Sequence, residues 1–243
     1  MARGPFHFKE FSVEQDGAAM KVGTDGIVLG CWTPIEKATR ILDAGAGNGY
    51  VGLMLLQRMT SNARLTGVEL EPTAAAQCAE NYRNQPFAGQ AKAWEGSLQD
   101  AAERPEWSGQ FDLIISNPPF FRDKPKSPIR ARNLARHDDT LPMGDIVKAA
   151  SKLLTTGGRL CTIWPADREA EWNSWAEGSG FTLRQTIRVQ TMRHLAPKRF
   201  LSEWVKSNES TGHHIDQLTL EGSATLDYTE QYLALVKPYL RGT

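Results

Sequence analysis

Asn117-Pro118-Pro119-Phe120 places groups able to hold a planar amine in four consecutive positions. The Asn117 side chain offers a carbonyl acceptor and an NH2 donor. Two prolines in succession fix the backbone and remove two N–H donors, so neither a helix nor a strand ladder continues through them. Their carbonyls stay available to accept, and Phe120 adds a flat apolar face. Acceptors beside an aromatic plate suit a planar substrate bearing an exocyclic –NH2, such as a nucleobase amine. The same string also fits a strand that ends in a rigid turn, and residues upstream decide between the two readings.

The second constellation is Asp43-Ala44-Gly45-Ala46-Gly47-Asn48-Gly49, where a strand runs into a glycine turn that opens a helix. Glycines permit positive φ and let a ligand approach the backbone with no Cβ in the way. The helix N-terminus adds partial positive charge. The pyrophosphate fingerprint is spaced G-x-G-x-x-G, whereas Gly45, Gly47 and Gly49 are spaced G-x-G-x-G. Asp43, just ahead of them, repels phosphate and suits an ammonium. Glu69 ends the next strand, 26 residues further on, where a carboxylate accepts from both hydroxyls of a ribose. Ammonium at Asp43, ribose at Glu69 and no pyrophosphate loop together describe S-adenosyl-L-methionine. A Rossmann-like strand end with a solvated Glu is the plainer reading, but it leaves Asn117, in phase on another strand, unexplained.

Positioning these groups requires strands that end side by side. After residue 40, strand-like and helix-like segments alternate, the pattern of a parallel sheet covered on both faces. Short apolar runs at Arg40–Asp43, Leu65–Leu70, Ala91–Glu95, Phe111–Ser116 and Leu160–Trp164 read as strands. Phe181–Val189 and Phe200–Lys206 follow, and Ile215–Leu220 could add an edge. Helices are expected at Tyr50–Met59, Pro72–Asn84 with Pro in its first turn, Met143–Leu154, Ala166–Glu177 and Thr229–Val236. Gly157-Gly158 is expected to end the third of these. The 243 residues suffice for one large core, with 40% hydrophobic and 23% charged residues. No apolar stretch approaches the roughly 18 residues of a membrane span. Cys31, Cys78 and Cys161 are odd in number and far apart, which favours reduced thiols in a cytoplasm and argues against structural zinc. No metal-ligand or Ser-His-Asp constellation stands out.

With Asp43, the glycine turn, Glu69 and Asn117 in this order, the chain resembles the class I S-adenosylmethionine-dependent methyltransferases of the Asn-Pro-Pro-aromatic type, from about residue 20 to residue 190. Phe6-His7-Phe8-Lys9-Glu10-Phe11 and Met20-Lys21-Val22-Gly23-Thr24-Asp25-Gly26-Ile27-Val28-Leu29-Gly30 resemble a narrower family, the bacterial tRNA1(Val) adenine-37 N6-methyltransferases. The resemblance implies a Rossmann-like α/β fold with a seven-stranded mixed sheet and helices on both faces. It implies one domain over 1–243: an N-terminal lid or substrate segment, 1–39, a core, 40–207, and a C-terminal extension, 208–243. The lid would bring Lys21, Thr24 and Asp25 near the cofactor; on chemistry alone Thr24 or Asp25 could cap a helix. Relatives commonly place an Asp after the third strand to accept from the cofactor's adenine, and here Ser97 stands there, a weaker, neutral acceptor. The implied reaction is methyl transfer to the exocyclic N6 of adenine 37 in a tRNA anticodon loop. Asn117 and the Pro118 carbonyl would take the two amino hydrogens, and Phe120 would stack on the extruded base. Ribosomal RNA guanine N2 and the glutamine N5 of a release factor are the alternative acceptors.

Net charge is zero, with 28 basic and 28 acidic residues, yet two local clusters are basic. Arg122, Lys124, Lys126, Arg130, Arg132 and Arg136 face only Asp123, directly behind the Asn-Pro-Pro-Phe string. Arg184, Arg188, Arg193, Lys198, Arg199 and Lys206 face only Glu203. The first cluster, beside the candidate site, fits phosphate contacts to a single-stranded RNA loop. The second fits either RNA contact or a solvated basic face. A monomer is the expected state.

Overall fold

The computed structural model describes residues 4–17, 20–119, 141–207 and 212–242. In chain order its strands and α-helices are β1 (Phe6–His7), β2 (Ser12–Val13), α1 (Thr24–Trp32), β3 (Arg40–Ala44), α2 (Tyr50–Leu56), β4 (Arg64–Glu69), α3 (Pro72–Arg83), β5 (Ala91–Glu95), α4 (Leu98–Ala102), β6 (Phe111–Ser116), α5 (Met143–Leu153), β7 (Leu154–Pro165), α6 (Glu169–Gly178), β8 (Phe181–Gln190), β9 (Arg199–Lys206), β10 (His214–Thr219) and α7 (Glu230–Val236). β1 and β2 pair as a short antiparallel hairpin. The others form one mixed sheet in the order β10-β8-β9-β7-β6-β3-β4-β5.

That sheet has eight strands, and the expected seven is corrected by β10, which pairs parallel with β8 along His214–Thr219. Its first four residues are exposed, so the segment carries little of the apolar alternation that marks a half-buried strand. Gly157-Gly158 likewise does not terminate a helix. α5 passes directly into β7 at Leu154. Between the pairs Phe111↔Leu154 and Leu113↔Arg159 the register shifts, and Gly157 lies inside that bulge at φ +77.

Residues in adjacent register share a face, and this sorts the core into two layers. Ile41, Leu113, Ile115, Cys161 and Leu201 face a cluster with Val51, Leu53 and Met54 of α2, Ile27 and Leu29 of α1, and Val236 of α7. Leu42, Ile114, Leu160, Phe200 and Trp204 face Ile146, Val147 and Leu153 of α5, with Ala101 of α4 and Trp172 of α6. The first cluster also takes in Phe8 and Val13 near the start of the chain and Tyr239 near its end.

Chain direction creates the crevice that matters. β3 leads to β4 and β5 on one side, while β6 lies on the other side of β3. Ligands of open α/β sheets bind outside the strand ends at such a reversal.

Candidate active site

Register alone brings the carboxylates and the amide together. Asp43 is level with Gly67 on β4 and with Ile115 on β6. Glu69 and Asn117 therefore both lie two residues further along, about 6.6 Å towards the C-terminal edge, on either side of Asp43. The three residues come from strands whose neighbours lie about 4.8 Å apart, a span matched to one small ligand.

The glycine turn holds Glu69 rather than a phosphate. Gly45 N–H and Ala46 N–H both donate to the Val68 carbonyl, at 2.9 and 3.0 Å, and Gly49 N–H donates to Ala46 at 2.8 Å. Gly47 N–H donates to Glu69 Oε2 at 2.8 Å, and Glu71 N–H to Glu69 Oε1 at 2.9 Å. These donors are spent within the protein, and each Glu69 oxygen keeps a lone pair for a hydroxyl. Gly47, at φ +56, has nothing within 4 Å of where a Cβ would sit, so the turn presents bare backbone to open space. Gly49 differs: a Cβ there would lie 2.5 Å from the Tyr82 ring, so this glycine serves packing. An open turn beside a half-buried carboxylate fits the ribose and amino-acid parts of S-adenosyl-L-methionine.

Asp43 is 2% exposed and accepts from Gly52 N–H at 3.2 Å. Burial pushes its carboxyl up from 3.8 to about 7; the Gly52 N–H opposes this and the Glu69 charge adds to it. An ammonium arriving here would restore the carboxylate. Ser97 caps α4: its hydroxyl accepts from Asp100 N–H at 2.9 Å and donates to Asp100 Oδ2 at 2.7 Å. One lone pair remains for an adenine amine. The Ser-x-x-Asp spacing is a capping signature and is readable in the sequence.

Asn117 is half-buried and Pro118 buried at the end of β6. Burial raises the ionisation of the Tyr50 phenol, a residue that no motif or compositional signal marks, and the Asn117 side chain opposes the rise. Tyr50, the first residue of α2, also lies 3.4 Å from the Gly23 carbonyl. Lys21 and Thr24 are exposed, and the Lys21 ammonium donates to the Gln15 carbonyl. Gly23, not Thr24 or Asp25, is the N-cap of α1, with no side-chain cap. Asp25 instead accepts from Arg199 Nε at 2.8 Å. Phe120, Arg122, Lys124, Lys126, Arg130, Arg132 and Arg136 lie outside the described residues. Of the second basic cluster, Arg188 meets Glu169 at 3.0 Å and Arg184 meets Glu203 at 3.6 Å. Glu203 was already in the sequence count; Glu169 and Asp25 are two carboxylates that folding adds to that face. Among the described residues no group of three His, Cys, Asp or Glu could hold a metal.

The profile of the methyltransferase small domain matches residues 27–173. A tRNA1(Val) (adenine(37)-N6)-methyltransferase of Porphyromonas gingivalis is 37% identical over 241 residues, spanning 96% of this chain and 94% of the relative. Namesakes from Flavobacterium johnsoniae and Trichodesmium erythraeum are 37% and 34% identical, each spanning at least 96% of this chain and 98% of the relative. In fold, the chain resembles a predicted O-methyltransferase from Agrobacterium tumefaciens, with a TM-score of 0.70 at 20% identity over 90% of this chain and 100% of that one.

Proposed function

This chain belongs to the tRNA1(Val) (adenine(37)-N6)-methyltransferase family, and from that membership we propose that it transfers a methyl group from S-adenosyl-L-methionine to N6 of adenine 37 in the anticodon loop of tRNA1(Val). The observation that carries the reading is Asn117, half-buried at the end of β6 and level with Glu69 across Asp43. The glutamine and guanine acceptors are not favoured by these relatives. We place the reaction in the cytoplasm, in keeping with three buried, unpaired cysteines, and take the working unit to be a monomer.

The bound cofactor supplies an electrophilic methyl on a sulfonium. Asp43 would take its ammonium, Glu69 its ribose hydroxyls, the Gly45 and Gly47 backbone its closest approach, and Ser97 its adenine amine; Lys21 and Thr24 would border the methionine end. The target N6 is a weak nucleophile because its lone pair is delocalised into the ring. Asn117 Oδ1 and the Pro118 carbonyl accept its two hydrogens, which lets the nitrogen pyramidalise and aim that pair at the methyl. The cofactor would give up its methyl to N6 with its sulfur as leaving group, and one N–H proton, made acidic by transfer, would leave to solvent. Positioning and local dipoles supply the acceleration. Phe120 would stack on the extruded base, and Arg122, Lys124, Lys126, Arg130, Arg132 and Arg136 would meet the RNA backbone.

The test is labelled methyl transfer to total tRNA, ribosomal RNA and release factor in parallel, followed by nucleoside analysis. Label in N6-methyladenosine of tRNA is expected; label found only in protein would overturn the assignment. Asn117→Ala should lower kcat at least 100-fold while leaving the cofactor Kd within about threefold.

A further inference from the structure

The chain ahead of α1 is fastened to α3 by side-chain amides. Gln77 and Asn81 lie one turn apart on that helix, and Gln85 follows just beyond its end. Gln85 pairs both ways with the Ser12 backbone, accepting from its N–H at 3.3 Å and donating to its carbonyl at 2.6 Å. Gln77 Oε1 accepts from Gly17 N–H at 3.3 Å. Between them, Asn81 Oδ1 accepts from Glu14 N–H at 2.9 Å and Asn81 Nδ2 donates to the Glu14 carbonyl at 3.0 Å. The strap from Ser12 to Gly17 is thus held by its backbone, whatever its own side chains are.

Asn81 differs from the other two in reaching a second element. Its Nδ2 also donates to the Asn48 carbonyl at 2.8 Å, inside the glycine turn. A backbone N–H can only donate and a carbonyl can only accept, so Glu14 and Asn48 fix which end of the Asn81 amide is which. Both Nδ2 hydrogens are then spent, one on the strap and one on the turn. Asn81 and Asn48 are 2% and 1% exposed, and a buried carbonyl that loses its donor is costly. Gly47, the neighbour of Asn48, donates its N–H to Glu69 Oε2 at 2.8 Å. A shift at Asn48 therefore reaches the carboxylate assigned to the ribose.

We propose that Asn81 is a positioning residue for the cofactor, setting the glycine turn through the Asn48 carbonyl and tying that turn to the strap at Glu14. The proposal rests on the turn being the S-adenosyl-L-methionine site. Coupling of this kind is reciprocal: a cofactor that steadies the turn also steadies the strap.

Asn81→Ala should raise the Kd for S-adenosyl-L-methionine about tenfold, with kcat at saturating cofactor within about twofold of the wild type. Gln85→Ala is the control, since it loosens the strap at Ser12 and removes no contact to the turn; its Kd should stay within about twofold. Equal weakening by both variants, or a wild-type Kd for Asn81→Ala, overturns the proposal. Backbone hydrogen exchange reads the coupling in the wild-type protein itself. Saturating S-adenosyl-L-methionine should slow exchange of the Glu14 N–H about fivefold or more, and in Asn81→Ala that slowing should vanish. An unchanged rate in the wild type, or slowing that survives in Asn81→Ala, overturns the proposal. Asp43→Ala tells the two layers apart. A wild-type cofactor Kd there sinks the cofactor site itself, whereas a weakened one beside an unaltered Asn81→Ala sinks the role of Asn81 alone.

Discussion

Asp43 lies almost wholly out of solvent, and burial, ahead of the Glu69 charge, raises its carboxyl from 3.8 to about 7. Between those values the folded chain holds a proton that the unfolded chain has released. Stability from this group is therefore full below about pH 4, declines as pH rises towards 7, and levels off above it. Asp43→Asn removes the titration, so its Tm should gain on the wild type as pH goes from 4 to 8; a constant difference across that range would refute the burial argument. Saturating S-adenosyl-L-methionine, whose ammonium favours the carboxylate, should raise the wild-type Tm more at pH 8 than at pH 5. Asp43, Glu69 and Asn117 were legible in the sequence because each ends a short apolar strand, where type and place both speak. Tyr50 was not, because a Tyr at a helix start looks like core. Ser97 was legible as a polar group at the right place, and the Ser-x-x-Asp spacing that marks its capping of α4 was there to be read as well.

α1 shows packing overriding propensity. Gly26 and Gly30 are poor helix formers, yet they lie four residues apart and face Tyr50 and Met54, also four apart on α2. Cβ atoms would fall 1.8 Å from the Tyr50 hydroxyl and 2.8 Å from the Met54 sulfur. Gly→Ala in an open helix stabilises by about 1 kcal/mol; here overpacking should cost about 1–3 kcal/mol and win. Gly26→Ala is thus expected to lower the urea midpoint, and the loss should shrink in a Tyr50→Leu background, which clears the space. A Gly26→Ala protein more stable than wild type would show that α1 does not sit this close. The central strands were readable from their β-branched runs, as was α3, where Pro72 opens the helix and Glu71 caps it. What escaped has physical reasons: β1 and β2 are two residues each, too short for a period, and the cap of α1 is Gly23, with no side-chain bond to mark it. The edge strand read at Ile215–Leu220 is β10, His214–Thr219, whereas Gly157 is spent on a bulge that looks in sequence like a helix stop.

Over the whole molecule, 28 basic residues meet 28 acidic ones, so attraction to RNA must come from where the balance fails locally. Counting along the chain marks two such places, but counting is blind to partners that folding supplies. Asp25 reaches Arg199 across 174 positions, and Glu169 reaches Arg188 in a two-point contact at 3.0 and 3.1 Å. Exposed pairs of this kind contribute only about 0–1 kcal/mol to stability, but they cancel charge that a phosphate would otherwise meet. The other run, from Arg122 to Arg136, has six basic residues against one acidic and begins five positions after Asn117 in the sequence. Replacing Arg130 and Arg132 by Ala should therefore raise KM for tRNA. It should also flatten the dependence of log KM on log salt by about 0.7–0.9 for each phosphate no longer neutralised, with the cofactor Kd unmoved. Replacing Arg184 and Arg188 should change neither slope nor KM by more than about twofold. If the second pair weakened tRNA binding as much as the first, the RNA would have to lie across β8 and β9, and the ion pairs there would have to open to receive it.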